Sequence, residues 1–533
     1  MMNTEERDQM RQSISRTSVL LLALAATLVP SEAAFAQNSP AAAASPLELL
    51  EQSIVDVIQS SEKSIVAISR SRRRSAPVFG EPIFDPIPDR DGPADRDEFG
   101  RGGGVPNDFG AGVIIRNDGL ILTNFHLVKG GPVLGEQKKP SESLLSVRLA
   151  NRQMYFATIL AADPRSDLAV IRIPVNGTLT EPVRPARLYS GEPLRKGQLV
   201  IGFGNAHAIG RDGSASAALG IVSNVTRTPG RASDAMFDPD ASTTKSIHHL
   251  GTLLHVDMRL NLGTSGGSLV NPKGELVGIT TPLAAIEGYE RSAGFAVPID
   301  ARTLRIIRSL EEGMEVEYGF LGVALQDVLS PDAAAIIQRL ARGGAAEIKQ
   351  VQRNSPAERG GLHDGDVVLK LNGNPVLSDR DLMRQVGLVA PGTPIELRVC
   401  RPGEAELNDP PKERTITVEV GKWPADDEEN IIAPVRRYPL WRGLLVDYPT
   451  ARQRFMASPD RRTEIPWAVL VTERLPGSPA EKAEVQVGDF ISHVDGQPVQ
   501  TPKEFYTIVK EKTAGSVRLT VVGTPPRTIT LSP

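Results

Sequence analysis

The spacing of apolar residues changes character along the chain. Near its start, apolar residues recur three to four positions apart between Pro46 and Ser61, which predicts a helix. A strand is predicted at Ser64–Ser69, and from Phe109 onward short apolar runs follow one another with turn residues between them. The later strands are predicted around Gly112–Ile115, Leu120–Thr123, Ser146–Leu149, Phe156–Ala161, Leu168–Ile173, Gln198–Phe203 and Ala218–Val225. Many short strands without helices between them favour an antiparallel barrel or sandwich over βαβ units.

The C-terminal half of the chain repeats itself. The segment Asn354-Ser-Pro-Ala-Glu-Arg-Gly-Gly-Leu-His-Asp-Gly-Asp366 recurs as Gly477-Ser-Pro-Ala-Glu-Lys-Ala-Glu-Val-Gln-Val-Gly-Asp489, and a hairpin signal follows each copy at the same offset. Each copy then continues into an amphipathic helix, predicted over Asp379–Val389 and Pro502–Lys512. Two copies are too few for a solenoid, so the pattern indicates two homologous α+β domains.

Composition narrows the class of protein. A length of 533 residues predicts about three to four domains, and 40% apolar with 23% charged residues is typical of a soluble globular protein. The net charge of −4 gives no reason to expect nucleic acid or an anionic membrane as a partner. The sequence contains no phosphate-binding loop, and His248-His249 has no ligand-spaced cysteine or carboxylate pair, so we expect neither cofactor nor metal. The single cysteine, Cys400, excludes an intramolecular disulfide and is predicted to be a buried, inert thiol.

Three segments lie outside the regular pattern. Arg11 and Arg16 precede an apolar run and the small-residue site Ala34-Phe35-Ala36, which predicts a signal peptide over residues 1–36 and a periplasmic or secreted protein. Residues 72–107 are rich in Pro, Gly and Asp and predict a long loop, while an acidic linker separates the two repeats. No later stretch is long enough for a membrane helix. The predicted domains are residues 37–313, 314–421 and 438–533, with the linker at 422–437.

One stretch of the strand-rich domain carries candidate chemistry. Asn261-Leu-Gly-Thr-Ser-Gly-Gly-Ser268 places Ser265 in a glycine-rich turn between two apolar runs. Such a turn leaves the hydroxyl and neighbouring backbone N–H groups available, which acyl transfer requires. A Gly/Ser turn alone is more often only a turn.

Two upstream residues complete a possible catalytic triad. His126 follows the predicted hairpin and Asp167 precedes an apolar strand, and each alone is usually a surface or turn residue. Together with Ser265 they follow in the order His, Asp, Ser, each at the edge of a predicted strand. In that arrangement His takes the Ser proton and Asp fixes the His tautomer. The backbone of Gly263, Thr264 and Ser265 is the predicted oxyanion hole.

The combination resembles the HtrA (Deg) serine proteases. Four segments look like the signature blocks of that family: Asp118–His126, Asp163–Val170, Gly263–Gly267 and Ser292–Pro298. The resemblance spans residues 47–300 and implies a chymotrypsin-like double β-barrel that degrades misfolded proteins in the cell envelope. It also implies that residues 72–107 form a regulatory loop and that the chain forms trimers or multiples of trimers. Loops 204–216 and 280–292 would shape the substrate pocket, so that Thr280 is assigned to it.

The two repeats resemble the PDZ domains that follow HtrA protease domains. Such domains capture peptide C-termini by strand addition, with a backbone nest for the carboxylate. In the second repeat Val446 is set opposite the second glycine of the nest, and Glu484 replaces Gly361. Because positive φ disfavours non-glycine residues by roughly 1 kcal/mol, we expect the second repeat to bind peptides weakly or to serve assembly. The predicted peptide-binding residues are Phe320, Leu321, Gly322 and Val323, and Leu444 and Leu445.

The substrate pocket departs from the family pattern. HtrA proteases usually carry two small residues where this chain reads Asp257-Met-Arg-Leu-Asn261, and Arg259 takes the place of the S1 pocket floor. If Arg259 points inward, its guanidinium needs an acidic P1 side chain or a carboxylate of the chain, such as Asp257 or Glu287. If it turns outward, Met258 and Leu260 keep the pocket apolar. We expect the outward arrangement.

These features predict an exported, ATP-independent serine endopeptidase that acts on unfolded proteins and captures peptide C-termini. Two alternatives are a chaperone or holdase whose protease is rarely active, and a PDZ scaffold with an inert barrel. An inert barrel would typically have lost a triad residue, whereas all three are present. The sequence does not decide against the holdase.

Overall fold

The computed structural model describes residues 45–72, 108–135, 143–175, 182–205, 214–227, 247–250, 252–260, 263–281, 294–326, 344–401, 412–424, 430–455, 466–512 and 514–533. The fold separates into residues 1–52 and 53–533. Ser45 caps helix α1 (Pro46–Ser61) through a hydrogen bond from Glu48 N to Ser45 Oγ (3.2 Å). The helix predicted from apolar spacing is confirmed with the same bounds. The predicted signal peptide and nearly all of loop 72–107 lie outside the described residues.

Six strands close into a first barrel. All neighbours pair antiparallel, in the order β1-β2-β3-β6-β5-β4. A short helix, α2 (Phe125–Val128), follows the third strand directly. Inward and outward residues alternate along the fourth strand, as expected for a small barrel filled by side chains. The strands are β1 (Ile65–Arg72), β2 (Asp108–Ile114), β3 (Leu120–Asn124), β4 (Ser143–Arg148), β5 (Met154–Asp163) and β6 (Leu168–Arg172).

A second barrel follows in the chain. Its strands are β7 (Arg187–Leu188), β8 (Leu199–Gly204), β9 (Ser216–Arg227), β10 (Leu253–Val256), β11 (Ser268–Val270), β12 (Glu275–Thr281) and β13 (Gly294–Pro298). The order β11-β8-β9-β10-β13-β12 closes through the β11–β12 pair, and β7 adds to β12 in parallel. The predicted double β-barrel is confirmed. The short strand β11, which begins directly after the glycine-rich turn, was not predicted.

Helix α3 (Ala301–Glu311) connects the barrels to the C-terminal half. The Asp300 carboxylate accepts hydrogen bonds from the backbone N–H groups of Arg302 (3.0 Å) and Thr303 (2.8 Å), which caps the helix. The buried face of α3 packs into a core cluster that also contains residues of both barrels. The helix is thereby fixed against the double barrel.

The two repeats fold with the same topology. In the first, β15-β16-β17-β19-β20 form the sheet and β18 pairs with β17; in the second, β22-β23-β24-β26-β27 and β25 correspond. The first contains β14 (Gly319–Phe320), β15 (Val323–Gln326), β16 (Ala346–Val351), α4 (Pro356–Gly360), β17 (Val367–Leu371), β18 (Asn374–Pro375), α5 (Asp379–Gly387), β19 (Pro394–Cys400), β20 (Glu413–Glu419) and β21 (Gly421–Lys422). The second contains β22 (Leu444–Asp447), β23 (Val469–Arg474), α6 (Pro479–Lys482), β24 (Phe490–Val494), β25 (Gln497–Pro498), α7 (Pro502–Lys510), β26 (Val517–Val521) and β27 (Arg527–Leu531). The prediction of two homologous α+β domains is confirmed.

A buried group of charges connects the barrels with both repeats. Lys422 is only 3% exposed, and its ammonium lies 2.9 Å from Glu315 Oε2 and 2.8 Å from Asp447 Oδ2. Glu315 in turn lies 3.5 Å from Arg165, which belongs to the turn between β5 and β6. Breaking one partner of such a buried pair typically costs about 3–5 kcal/mol, so these contacts hold the three parts together.

Two further features bear on sequence predictions. Cys400 is a free, buried thiol, as predicted, and its burial raises the pKa to about 11. Among the described residues, no helix is both long enough and apolar enough to cross a membrane.

Glu484 provides a test of backbone strain in the second repeat. Its φ is +60° and its side chain is exposed, whereas Gly361 at the same place in the first repeat has a φ of +87°. We expect Glu484→Gly to stabilise the second repeat by about 1 kcal/mol, because a Cβ is disfavoured in this conformation. Calorimetry of the full chain should show the corresponding unfolding transition at a higher temperature.

Gly361→Ala is the matched control. No atom lies within 4 Å of a Cβ added at Gly361, so this change tests conformation alone and should destabilise the first repeat. An unchanged or lower transition temperature for Glu484→Gly would show that the backbone of Glu484 is not strained.

Candidate active site

The turn that carries Ser265 requires its glycines. Gly263 and Gly266 have φ values of +93° and +75°. A Cβ on Gly263 would lie 2.2 Å from the carbonyl oxygen of Asn205, and one on Gly267 would lie 2.1 Å from that of Phe203. The glycine-rich sequence is therefore dictated by close backbone contact as well as by positive φ.

His126 and Asp167 form a hydrogen-bonded pair. His126 Nδ1 lies 3.0 Å from each carboxylate oxygen of Asp167, and His126 N donates to Asp167 Oδ1 (3.1 Å). His126 lies on the short helix α2 rather than at a strand edge, and Asp167 is 4% exposed. Thr281 from β12 also donates its hydroxyl to Asp167 Oδ2 (3.4 Å). The carboxylate thus fixes which imidazole nitrogen faces inward.

The two barrels bring Ser265 and α2 to the same strand. Ala111 N of β2 donates to the Ser265 carbonyl oxygen (2.8 Å), although Ser265 belongs to the second barrel. A Cβ on Gly110 would lie 2.8 Å from that same oxygen and 2.4 Å from a methyl group of Leu127, the residue after His126. The turn that carries Ser265 and the helix that carries His126 therefore both lie against β2, where the barrels join.

The backbone before Ser265 is oriented by Thr280. The Thr280 hydroxyl and Gly267 N (2.9 Å) both donate to the carbonyl oxygen of Thr264. Because N–H and C=O point in opposite directions across a trans peptide, the Ser265 N–H faces away from these donors. Among the described residues, no acceptor receives the N–H of Gly263 or Ser265. These groups are available for an oxyanion.

Thr280 is therefore placed differently from the prediction. The sequence assigned it to the substrate pocket, but its side chain is fully buried and its hydroxyl is bound to the Thr264 carbonyl. A contact between positions this far apart in the chain leaves no local sequence signal.

Asp167 is presented by a turn that is itself held by buried polar contacts. Asp167 has a φ of +52°, and the backbone N–H of Ser166 donates to Asp163 Oδ2 (3.0 Å). The Tyr318 hydroxyl donates to the same oxygen (2.5 Å), and Arg165 Nε donates to Asp163 Oδ1 (2.9 Å). Burial and the Asp163 charge raise the pKa of Tyr318, so its hydroxyl remains a donor. The sequence analysis missed Tyr318 because it lies far along the chain.

The residues assigned to the substrate pocket differ in exposure. The Arg259 side chain is exposed, whereas Met258 is 5% exposed and Leu260 is half-buried. The Met258 sulfur fills the space beside Gly202, where a Cβ would approach it to 2.4 Å. The Asp257 carboxylate accepts a hydrogen bond from a backbone N–H of β9 (2.7 Å). The geometry therefore favours the outward alternative for Arg259.

The structure corrects the predicted register of the second carboxylate nest. Gly322 and Gly443 have φ values of +79° and +82°. A Cβ on each would lie 2.3 Å and 2.1 Å from the Cβ atoms of Ser355 and Ser478, which cap α4 and α6. Gly443 is thus the counterpart of Gly322, and the placement of Val446 opposite that glycine was wrong.

The corrected register also moves the predicted peptide-binding residues of the second repeat. Leu444 begins β22 as Val323 begins β15, so Leu445 corresponds to Ala324. Arg442 then takes the place of Leu321 in the nest.

Within the described residues, no group of three or more potential metal ligands is present.

The fold and site define a trypsin-like serine peptidase with two PDZ domains. Residues 110–279 match the trypsin-like peptidase domain family, and residues 319–420 and 470–523 each match a PDZ domain family. We therefore call the first and second repeats PDZ1 and PDZ2.

Curated relatives identify the family. A "Probable periplasmic serine endoprotease DegP-like" of Hahella chejuensis is 28% identical over 469 residues, covering 86% of this chain and 88% of the relative. A protein of the same name from Pseudomonas putida (strain F1) is 30% identical over 405 residues, covering 75% of this chain and 74% of the relative. The chain belongs to the HtrA family of DegP-like periplasmic serine endoproteases. The relatives' names agree with the predicted periplasmic location.

Solved structures of HtrA-type proteases are also similar to this chain. The "HtrA-type protease AlgW with tripeptide" is 22% identical, with a TM-score of 0.46, and the match covers 70% of this chain and 98% of that one.

The contact of Thr280 with the turn predicts a role in catalysis. Thr280→Val keeps the shape but removes the donor to the Thr264 carbonyl, so we expect kcat to fall about 10- to 100-fold. This loss is smaller than the 10²–10³ typical of removing an oxyanion donor outright. KM should change little, and Thr280→Ser should restore most of the activity. Wild-type kcat in Thr280→Val would show that the contact does not orient the turn.

The exposure of Arg259 predicts an apolar P1 preference. Cleavage-site profiling on a denatured protein digest should show cleavage mainly after Val, Ile or Ala. Arg259→Ala should leave that preference unchanged, because the guanidinium does not enter the pocket. Enrichment of Asp or Glu at P1 that is lost in Arg259→Ala would indicate an inward arginine.

Proposed function

We propose that Ser265 is the nucleophile of this serine endopeptidase, His126 its general base and Asp167 the residue that orients His126. The observation that carries the proposal is the His126–Asp167 hydrogen bond, 3.0 Å from Nδ1 to each oxygen. With Nδ1–H bound to Asp167, Nε2 is left to accept the Ser265 proton. The N–H groups of Gly263 and Ser265, on either side of Thr264, stabilise the oxyanion of the tetrahedral intermediate.

The proposed substrates are misfolded or damaged proteins of the cell envelope. The pocket formed by Met258 and Leu260 suits apolar P1 residues, which folded proteins keep buried. Cleavage at such residues therefore selects for unfolded chains. The relatives' description as periplasmic endoproteases supports this substrate class.

PDZ1 is proposed to capture the C-termini of these substrates. Its strand β15 lies at a sheet edge, next to the nest of Phe320, Leu321, Gly322 and Val323. Among the described residues, no acceptor receives the N–H of Leu321 or Gly322, which leaves both for a carboxylate. By family resemblance, the chain is further proposed to act as a homotrimer or a multiple of it.

A holdase and an inert scaffold remain the alternatives to the protease. A holdase would bind unfolded chains without turning them over, and a scaffold would lack a reactive serine. The hydrogen-bonded His126–Asp167 pair favours the protease, because an inert barrel has no need of that geometry.

Ser265→Ala is expected to abolish proteolysis without unfolding the chain. The loss in kcat should be of order 10⁶, His126→Ala should cost about as much, and Asp167→Ala somewhat less. A fluorophosphonate probe should label the wild-type protein at Ser265, and casein cleavage gives the turnover.

Two results would contradict the assignment. Casein cleavage that persists in the Ser265→Ala protein would end the protease mechanism proposed here. An unlabelled, correctly folded wild-type protein would instead support the scaffold or holdase.

A further inference from the structure

The two PDZ domains differ in what occupies the space beside their edge strands. Strands β15 and β22 each lie at one end of their sheet. Peptide capture at such an edge requires outward-facing N–H groups on the strand and free N–H groups in the adjoining nest. Both requirements can be checked in PDZ2 from its hydrogen bonds.

The edge strand of PDZ2 already uses an outward N–H group. Val446 N donates to the hydroxyl of Tyr506 (3.2 Å). Tyr506 belongs to helix α7, whereas β23 pairs with β22 on the other side. The donor that an added strand would need is therefore bound to a side chain of the same domain.

Tyr438, which directly follows the inter-PDZ linker, covers Tyr506. The Tyr438 ring lies parallel to the Tyr506 ring, with centroids 4.4 Å apart and an interplanar angle of 4°. Under this stack Tyr506 is only 9% exposed, and burial raises its pKa to about 12. Further along β22, linker residues including Ile431, Ala433 and Arg437 wall a cleft whose other side is β22.

One N–H group of the PDZ2 nest is bound within the nest's own turn. Trp441 N donates to Leu444 O and Leu444 N donates to Trp441 O, both at 2.9 Å. The residues between them, Arg442 and Gly443, have φ values of +51° and +82°, as in a type I′ turn. The N–H of Leu444, at the position of Val323 in PDZ1, is thus bound to a carbonyl instead of facing a carboxylate.

Arg442 fastens this turn to the rest of PDZ2. Its guanidinium donates to the carbonyl oxygens of Leu531 (2.6 Å), Gly515 (2.7 Å) and Lys512 (3.3 Å). It also lies over the Trp441 ring, 4.9 Å from the centroid. Opening the nest would require these contacts to break together.

The described residues of PDZ1 contain no counterpart of the Tyr506 hydroxyl or of the closed Trp441–Leu444 turn. Its residue at the position of Tyr506, five after the helix cap, is Met383, which has no hydroxyl. Phe320 pairs with Gly421 of β21 instead of folding back on the nest. Val323 of β15 is half-buried, whereas Leu444 of β22 is fully buried.

We propose that the groove of PDZ2 is an internal docking surface for this chain's own segment 431–444, with the end of the linker, Tyr438 and the Trp441–Leu444 turn in the place of a peptide. PDZ2 is then closed to peptide C-termini, and the chain captures them through PDZ1 alone. The inference rests on the proposed peptide capture by PDZ1 but not on proteolysis.

The test maps peptide binding within the full chain carrying Ser265→Ala. The probes are octapeptides ending in Val, Ile, Leu or Phe with a free carboxylate and an internal benzophenone, and adducts are located by mass spectrometry. We expect adducts beside β15 and α5 only, and titration with the unlabelled peptides should give about one peptide per chain. Peptides with an amidated C-terminus are the control.

Exchanging groove residues between the two domains tests whether these residues decide which domain binds peptide. Tyr438→Ala with Tyr506→Met, the residue PDZ1 carries, should add adducts at β22 and raise the stoichiometry toward two. Met383→Tyr in PDZ1 should weaken binding there. Tyr506→Phe, which removes only the hydroxyl, should speed amide hydrogen exchange in β22 even if the double variant fails to fold.

The outcomes separate the two proposals. Adducts at β22 in the parent protein, or unchanged exchange of β22 in Tyr506→Phe, would overturn the internally occupied groove. A folded double variant that gains no second site would also overturn it. Absence of adducts at PDZ1 in the parent would instead refute the proposed peptide capture by PDZ1.

Discussion

The candidate site depends most on the hydrogen bonds that the buried Asp163 carboxylate accepts. The carboxylate is fully buried and accepts hydrogen bonds from Ser166 N, Arg165 and the Tyr318 hydroxyl. These bonds shape the turn that holds Asp167 at a positive φ with its carboxylate on His126. Nearby Asp163 and Glu315 raise the pKa of Arg165 despite its burial, so the cluster keeps its counter-charge over the physiological range. Loss of these partners would leave the buried Asp163 charge uncompensated, which would strongly destabilise the turn.

The sequence predicted those parts of this site whose conformation depends on neighbouring residues in the chain. The turn at Ser265 needs glycine because of its own backbone, and the turn at Asp167 directly precedes an apolar strand. Periodicity predicted α1 with its observed bounds for the same reason, since helical spacing is a property of neighbouring residues. Tyr318 and Thr280 act on these turns from more distant positions, and only the folded chain brings them there.

The error in the second nest shows where pattern matching fails. PDZ1 has glycines at 319 and 322, while the corresponding stretch of PDZ2 has only Gly443, so the sequence allows two registers. Backbone contacts decide between them: Ala357 N donates to Leu321 O (2.9 Å), and Ala480 N donates to Arg442 O (3.1 Å). Register in such a strand is set by contacts with another segment, which periodicity does not encode.

The charged junction gives PDZ2 a physical reason to keep its groove filled. Asp447 ends β22 and forms a 2.8 Å ion pair with the buried Lys422, which also binds Glu315 of the segment leading out of the barrels. A peptide that displaced the linker from β22 would disturb the strand that carries Asp447. Because Lys422 is buried, loosening that pair would leave its charge poorly compensated. PDZ2 therefore contributes its edge strand to the contact between domains, and under the proposed peptide capture only the edge strand of PDZ1 is offered to substrate.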